Sequence, residues 1–350
     1  MAAVLAVAVV TTIAVVWVSG RTTRPLRVSS VSDEGPLVQP AGWLRDGGET
    51  ALVGGRVLWA FGDTLFPSSA PDGTHLRSSS WAWSDPGRPE SLDDVVEPDG
   101  TPVQLVPFDE LEAAYNRLSG RSDDRVALWP ASVLAQDDGS ALVFFREVLV
   151  APGRLHFRVL GSGVATVRPG SRTAARDGNL LFHSPAPAFS SGAVRSDGFV
   201  YLYGCHRVDR PGFGCDVARV RTAEVHDPAA YEFWDGAAWS PAVRRAAVVL
   251  AGPSGGPSVS WNAWLGSYLA VYSQPFSNRV LMRTAPRPEG PWSAPVLAFT
   301  GRPPGGPTAD YAAFEHPELS ADGGRAVTIG YFHPLGPFRG EIRLVRVVLR

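Results

Sequence analysis

The sequence predicts an all-β fold, a five-bladed β-propeller preceded by an apolar N-terminal segment, and two observations support this prediction. The first is composition: 37 Gly and 31 Pro make up about a fifth of the 350 residues, against about an eighth in an average protein. Because each interior Gly or Pro costs a helix about 1 or 3 kcal/mol, long helices are excluded. Hydrophobic residues still form 45% of the chain, enough for a large core.

The second observation is a hairpin unit that recurs along the chain. Short turns containing glycine separate segments rich in Val, Leu, Tyr and Phe, which is typical of β-hairpins. The stretches between hairpins are long enough for four-stranded propeller blades with insertions, and one insertion, Phe108 to Leu118, has the composition of a short helix. A jelly roll or a sandwich would show more even strand spacing. The five turns are Gly54-Gly55, Asp138-Gly139, Asp197-Gly198, Leu265-Gly266 and Asp322-Gly323-Gly324.

The N-terminus predicts export. Residues Val4 to Val18 form an apolar run with no charged residue before Arg21, and at 1.5 Å per residue a helix over 1–20 would span a hydrocarbon core of about 30 Å. We expect 1–20 to be a signal peptide or a membrane anchor, followed by a linker over 21–39 and the propeller over 40–350. The basic residues that follow the run oppose the positive-inside rule, but long domains translocate largely regardless of such charges. An extracytoplasmic protein, secreted or anchored, is expected.

Cys205 and Cys215 are the only cysteines, and both fall in one predicted hairpin. In an exported protein such a pair is expected to form a disulfide, the alternative being two free buried thiols. Neither cysteine has a second one at the two-residue spacing of common zinc sites.

Charge and motifs limit the class of partner. The net charge is -2 and no basic run occurs, so a nucleic acid is not expected as a partner. The sequence has no phosphate-binding loop, dinucleotide fingerprint or His-Glu-x-x-His motif, and no cofactor is predicted. Seven scattered histidines leave a channel metal open without indicating one. We expect a monomer.

The first hairpin contains the strongest candidate for catalysis. If Gly54 and Gly55 are its turn residues, simple pairing places Asp46 opposite Asp63, with β-carbons about 5 Å apart. Like charges that face each other across two strands destabilise a sheet. The presence of such a pair therefore indicates a functional role, such as catalysis. In glycoside hydrolysis one carboxyl with a raised pKa protonates the leaving oxygen while the other is a nucleophile or a base. The alternative is that both aspartates cap backbone amides. Whether the reaction would retain or invert the anomeric configuration stays open.

The strands that enter the other hairpins supply aromatic and hydroxyl-bearing side chains, which suit the ring faces and hydroxyls of a sugar. Taken singly, each of these residues also fits a structural role. Glu147 is a weaker third carboxylate. The expected substrate-binding residues are Trp129, Ser191, His206, Trp261, Asn262, Tyr311, Glu315 and His316.

A series of short motifs carries a family resemblance across Pro40 to Arg350. The motifs are Arg45-Asp46-Gly47-Gly48, Phe61-Gly62-Asp63-Thr64, Leu128-Trp129-Pro130, Val200-Tyr201-Leu202-Tyr203-Gly204, Ser258-Val259-Ser260-Trp261-Asn262, Gly290-Pro291-Trp292-Ser293 and His316-Pro317-Glu318-Leu319. In this order the sequence resembles a bacterial family first catalogued as a domain of unknown function and later recognised as glycoside hydrolases with endo-D-arabinanase activity.

This resemblance implies a five-bladed propeller that cleaves α-linked D-arabinofuranose chains, such as those of arabinogalactan and lipoarabinomannan. It also implies two catalytic aspartates in the first blade, at Asp46 and Asp63. The leading hypothesis is therefore an exported or membrane-tethered, endo-D-arabinanase-like glycosidase. The alternative is a non-catalytic propeller that binds glycan or scaffolds the cell envelope.

Overall fold

Five antiparallel sheets are arranged around a central channel as the blades of a β-propeller, which confirms the predicted fold. The computed structural model describes residues 23–119, 124–151, 157–176, 178–208, 212–253, 255–303, 308–336 and 339–350. Within these ranges no helix is long and apolar enough to cross a membrane. The predicted signal or anchor segment, 1–20, lies outside the described residues.

Within the described ranges, 24 strands make up the blades. The first strand of the described residues is β1 (Val28–Pro36), and the first blade contains β2 (Leu44–Val53), β3 (Arg56–Leu65), β4 (Leu76–Arg77), β5 (Ser80–Asp85) and β6 (Arg88–Asp94). The second contains β7 (Arg125–Ala135), β8 (Ala141–Val150), β9 (Phe157–Val167), β10 (Ala175–Arg176) and β11 (Phe182–His183). The third contains β12 (Phe189–Ser196), β13 (Phe199–Val208), β14 (Gly212–Arg221), β15 (Glu232–Trp234), β16 (Trp239–Ser240) and β17 (Leu250–Ala251).

The fourth blade contains β18 (Ser258–Asn262), β19 (Ser267–Ser273), β20 (Arg279–Ala285) and β21 (Val296–Thr300). The fifth contains β22 (Tyr311–Glu315), β23 (Ala326–Gly336) and β24 (Arg339–Leu349). In every blade the innermost strand and its neighbour are joined across one of the five predicted turns. Single-turn 3-10 helices lie at Thr222–Glu224, Pro228–Ala230, Val243–Arg245, Pro317–Leu319 and Asp322–Gly324.

Each pair of neighbouring blades shares a hydrophobic cluster among the described residues. Between the first and second blades Trp81 packs in one cluster with Phe145, and between the fifth and first blades Trp59 packs in another with Ile342. In β3, residues Val57 to Phe61 are fully buried. Both faces of this strand are covered by neighbouring blades, which explains why its sequence is almost continuously apolar. The core is therefore a ring of shared cores rather than the single interior of a sandwich.

The strand β1 closes this ring as the outermost strand of the fifth blade, where it pairs antiparallel with β24. Asp33 of β1 accepts hydrogen bonds from the buried guanidinium of Arg343 in β24, at 2.8 Å to each carboxylate oxygen. The prediction of a linker over 21–39 is therefore wrong for Val28–Pro36. The sequence of β1 lacks the alternation of apolar and polar residues that indicates a strand, because its side chains are mostly exposed.

Helix α1 (Glu110–Ser119) confirms the predicted helical insertion and connects the first and second blades. Its start is a reciprocal cap, because Asp109 N–H donates to Glu112 Oε2 at 2.9 Å and Glu112 N–H donates to Asp109 Oδ1 at 2.8 Å.

The two cysteines are directly opposite each other on neighbouring strands of the third blade. Cys205 of β13 pairs with Cys215 of β14, and the two are joined in a disulfide.

Ring closure can be tested by a cavity in the last strand. Leu349 is fully buried and pairs with Val28 of β1. Replacing it as Leu349→Ala is expected to lower the free energy of unfolding by about 2–5 kcal/mol, because the side chain leaves a cavity where β1 and β24 join. Chemical denaturation measures this. The matched control is Leu118→Ala on α1, where the side chain is 81% exposed, with a change within about 0.5 kcal/mol. Equal effects of the two substitutions would contradict this account of closure.

Candidate active site at the channel mouth

Asp46 lies near the start of β2, at an irregular part of the first hairpin. The pairing follows the predicted register from Val53↔Arg56 to Glu49↔Ala60 and again at Arg45↔Thr64. Between these stretches it shifts twice, and neither Asp46 nor Asp63 belongs to a regular pair. The prediction that they are directly opposite is therefore wrong in detail. Gly47 and Gly48, with φ of 80° and 109°, supply the backbone freedom that this bulge needs.

Asp63 lies near the end of β3 and is held by two side chains of β7. Its Oδ1 accepts a hydrogen bond of 2.8 Å from Trp129 Nε1, and its Oδ2 is paired with Arg125. A guanidinium and an N–H donor both favour the ionised carboxylate. Trp129 was expected to bind substrate; the structure places it against the candidate catalytic carboxylate, with its ring packed edge-on to Phe157.

Asp46 has a different environment, at the seam between the first and fifth blades. Its Oδ2 accepts a hydrogen bond of 2.8 Å from the hydroxyl of Tyr311, at the start of β22. Burial and the negative charge of Asp63 raise the pKa of Asp46 to about 6, against the opposing effect of the Tyr311 hydrogen bond. Burial, with the charge of Asp46, raises the pKa of Tyr311, so its hydroxyl stays a donor. The two aspartates thus differ in their surroundings: Asp46 is buried beside a tyrosine hydroxyl, and Asp63 is bound by an arginine and an indole N–H.

Arg146, in the middle of β8, bridges three blades. Its Nη2 donates to Ser191 Oγ of β12 and to the carbonyl oxygen of Gly255, before β18. Ser191, an expected substrate-binding residue, is buried and held by this contact. Trp129, which binds Asp63, and Arg146 are paired across β7 and β8, so their side chains are on the same face of the second blade.

Glu315 and His316, at the end of β22, are buried inside the channel wall. Glu315 accepts a hydrogen bond of 2.6 Å from Ser260 Oγ, and burial raises its pKa to about 7. His316 Nδ1 shares a hydrogen bond of 2.7 Å with Thr50 Oγ1, and its ring lies 4.9 Å from the ring of Trp59. Burial lowers the pKa of His316 to about 3, so the ring is neutral. Both residues join the fifth blade to its neighbours.

The remaining expected residues lie elsewhere. Asn262, at the turn end of β18, donates to the Gly324 carbonyl and accepts from Leu265 N–H, which makes it a turn former. Trp261 packs edge-on to Tyr268 and is 38% exposed in the channel.

His206 lies near the outer end of β13, where its Nδ1 donates to the Arg207 carbonyl at 3.0 Å and its Nε2 lies 3.2 Å from Asp216 Oδ1. Although burial opposes the charged form, these contacts raise the pKa of His206. The geometry favours a structural role for both Asn262 and His206.

A cavity of about 320 Å³ occupies the half of the channel nearer the hairpin turns. Its lining comes from the later residues of all five innermost strands and includes Glu49, Glu315 and Trp261, but neither Asp46 nor Asp63. The two aspartates therefore lie towards the other mouth, Asp46 near the start of β2 and Asp63 near the end of β3. Within the described ranges, no group of three or more His, Cys, Asp or Glu is arranged to hold a metal ion.

Sequence reasoning missed three charged residues of this region: Glu49, Arg125 and Arg146. The arginines belong to no local sequence motif, because their partners lie in other blades and are far away in the sequence. Glu49 could have been found from the Asp-Gly-Gly-Glu sequence, because the two glycines indicate a possible bulge. In a regular strand, positions 46 and 49 would point to opposite faces, but an extra bulged residue brings both towards the channel.

Comparisons with known proteins agree with the propeller. The family described as a domain of unknown function, DUF4185, matches residues 164–330, from β9 to β23, and so does not reach the first blade. No curated protein matches the sequence.

Several solved structures are similar. A Bacteroides ovatus protein provisionally assigned as a hydrolase has a TM-score of 0.63 at 17% identity, over 89% of this chain and 86% of that one. A GH43_1 enzyme from Xanthomonas citri has a TM-score of 0.55 at 15% identity, over 89% of each chain. A family 117 glycoside hydrolase from the marine bacterium Zobellia galactanivorans has a TM-score of 0.57 at 12% identity, over 92% and 90%. Identities this low establish the shared fold.

The Tyr311 hydrogen bond is testable through the pKa of Asp46. Because this bond stabilises the ionised carboxylate, Tyr311→Phe is expected to raise the pKa of Asp46 above about 6. Carbon-13 NMR titration of the aspartate carboxyl groups, assigned with Asp46→Asn, measures the shift. Tyr115→Phe on α1 is the control and should leave that titration unchanged. A pKa that stays the same or falls in Tyr311→Phe would contradict the assigned contact.

Proposed function

We propose that this protein is a glycoside hydrolase in which Asp46 is the general acid and Asp63 is the ionised partner. The observation that carries the proposal is the contrast between the two carboxyl groups. Asp46 has a pKa raised to about 6 by burial and by Asp63, whereas Asp63 is bound by Arg125 and Trp129. A pair separated in this way supplies both a proton donor and a carboxylate at pH values up to about 6.

In the proposed reaction Asp46 donates its proton to the glycosidic oxygen as the bond to the anomeric carbon breaks. Asp63 acts on the anomeric carbon, either directly as the nucleophile or by taking a proton from the attacking water. Trp129 and Arg125 fix the Asp63 carboxylate in both cases. The configuration of the first sugar released, read by NMR, distinguishes the two routes.

For the substrate we propose α-D-arabinofuranosyl linkages of cell-wall arabinogalactan or lipoarabinomannan, cut within the chain. Support comes from the ordered motifs that resemble endo-D-arabinanases and from the match to DUF4185. The similar GH43_1 enzyme has been crystallised with xylotriose, so a propeller of this shape accommodates a chain of pentoses. We also propose that the protein is exported, since the Cys205–Cys215 disulfide suits an oxidising compartment, and that it acts as a monomer.

The direct test is release of oligosaccharides from arabinogalactan. We expect release by the wild type, and a loss of about 10²–10⁴-fold in kcat for both Asp46→Asn and Asp63→Asn, because each removes one half of the acid and carboxylate pair. Asp85→Asn is the matched control, since its carboxylate is largely exposed on the first blade, and it should retain full activity. A wild type that binds arabinan without releasing product would instead support the glycan-binding alternative.

The pKa of Asp46 sets an expected pH dependence. A general acid must be protonated, so kcat/KM is expected to fall as the pH rises above about 6, to about a tenth of its maximum by pH 7. Initial rates from pH 4 to 9 measure this limb. In Tyr311→Phe the same limb should move to higher pH, since the pKa of Asp46 rises there. A rate that is constant from pH 5 to 8 would exclude Asp46 as the acid.

A further inference from the structure

Glu49 is a buried carboxyl group that the proposed reaction does not use. Its side chain is 5% exposed and forms the inner end of the channel cavity. Its Oε2 has no hydrogen-bond partner among the described residues. None of the ion pairs within 4.0 Å in that part of the chain includes Glu49. A buried polar atom left without a partner costs about 1–3 kcal/mol, so Glu49 Oε2 does not stabilise the fold.

The backbone directs this group towards the candidate active site. The bulge at Gly47 and Gly48 places Asp46 and Glu49 on the channel side of the same strand. A Cβ at Gly47 would lie 3.2 Å from Glu49 Oε2, so glycine leaves the space that the carboxyl occupies. The negative charge of Asp46 acts on Glu49, and so does the positive charge of Arg146 from the second blade. Glu49 therefore lies between the aspartate and the cavity.

The surroundings favour the uncharged acid. Burial, followed by the charge of Asp46, raises the pKa of Glu49 to about 8, against its backbone hydrogen bonds and the weaker effect of Arg146. The other charged groups that face β2 have partners, although Glu318 Oε1, like Glu49 Oε2, has none among the described residues. They are Asp63 of β3 and Arg125 of β7, which pair with each other, Glu315 with Ser260, Glu318 with Thr50, and Arg343 with Glu341 and Asp33. His316 is neutral.

We propose that Glu49 is a substrate-binding residue that, as an uncharged carboxylic acid, donates a hydrogen bond from Oε2 to an oxygen of the sugar held against Asp46. The inference rests on the proposed function. A protonated carboxyl in a buried site donates as strongly as a hydroxyl and cannot repel Asp46 when that group ionises. The positive charge of Arg146 also acts on Glu49, so a sugar bound beside Glu49 would lie near a neutral donor and a cation. Both suit the oxygen atoms of a furanose.

Two substitutions separate a neutral donor from an ionised acceptor. Glu49→Gln keeps an uncharged donor of the same length, and Glu49→Leu removes every polar atom. We expect Glu49→Gln to bind within about twofold of the parent, and Glu49→Leu to bind about 3- to 10-fold more weakly, the loss of one neutral hydrogen bond. The matched control, Glu318→Gln, changes another carboxyl that lines the same cavity and should leave binding unchanged.

The readout is Kd for arabino-oligosaccharides by calorimetry, with every variant in the Asp63→Asn background. This measurement does not need turnover, so failure of hydrolysis and failure of the Glu49 contact are distinguishable. If Glu49→Gln weakens binding as much as Glu49→Leu, an ionised carboxylate is required and the proposal is overturned. It is also overturned if Glu49→Leu binds as well as the parent, or if the parent binds no arabino-oligosaccharide.

Unfolding without ligand tests the uncharged state of Glu49 separately from its role in binding. Since the folded pKa of Glu49 lies above its unfolded value of about 4.5, its contribution to stability is present below pH 4.5 and is lost as the pH rises towards about 8. Glu49→Gln should therefore gain in Tm relative to the wild type as the pH is raised from 5 to 8. A difference in Tm that stays constant over this range would overturn the uncharged state of Glu49.

Discussion

The pairing of β1 with β24 is the interaction on which the rest of the structure depends. It joins the first strand of the described chain to the last and completes the fifth blade. Completion brings the fifth blade against the first, where their shared cluster includes Trp59 and Ile342. The Tyr311 hydrogen bond to Asp46 crosses this same seam. Closure of the ring and the chemistry of the candidate acid are therefore set by the same contact between blades.

The innermost strands combine regular pairing near the turns with irregular pairing near the opposite mouth. Four of the five carry a register shift in that part, in β2, β7, β12 and β22, whereas β18 is regular. Bulges re-aim side chains, so the propeller presents its polar groups where the ladder is interrupted. Regular pairing supplies the stability, and the interruptions supply the geometry of the site.

The sequence predicted the parts of the fold that depend on residues close together in the chain. Five glycine turns located the hairpins, and alternating apolar segments located the innermost strands, because both signals act over a few residues. The strand β1 was missed, since its exposed polar residues pair only with a strand that follows much later. Asp46 and Asp63 were found through a register that holds on both sides of them, while Arg125, Arg146 and the Tyr311 contact depend on neighbouring blades. A local pattern carries no information about such partners.

The first and fifth blades, which are in contact in the folded protein, are synthesised at different times. The ribosome releases the first blade early, and β22 and β24 follow only after the intervening three blades. Until they arrive, Asp46 has neither the tyrosine hydroxyl nor the enclosing wall of the fifth blade, so it ionises like an ordinary surface aspartate. The raised pKa that burial gives Asp46 is therefore acquired only as the last blade docks.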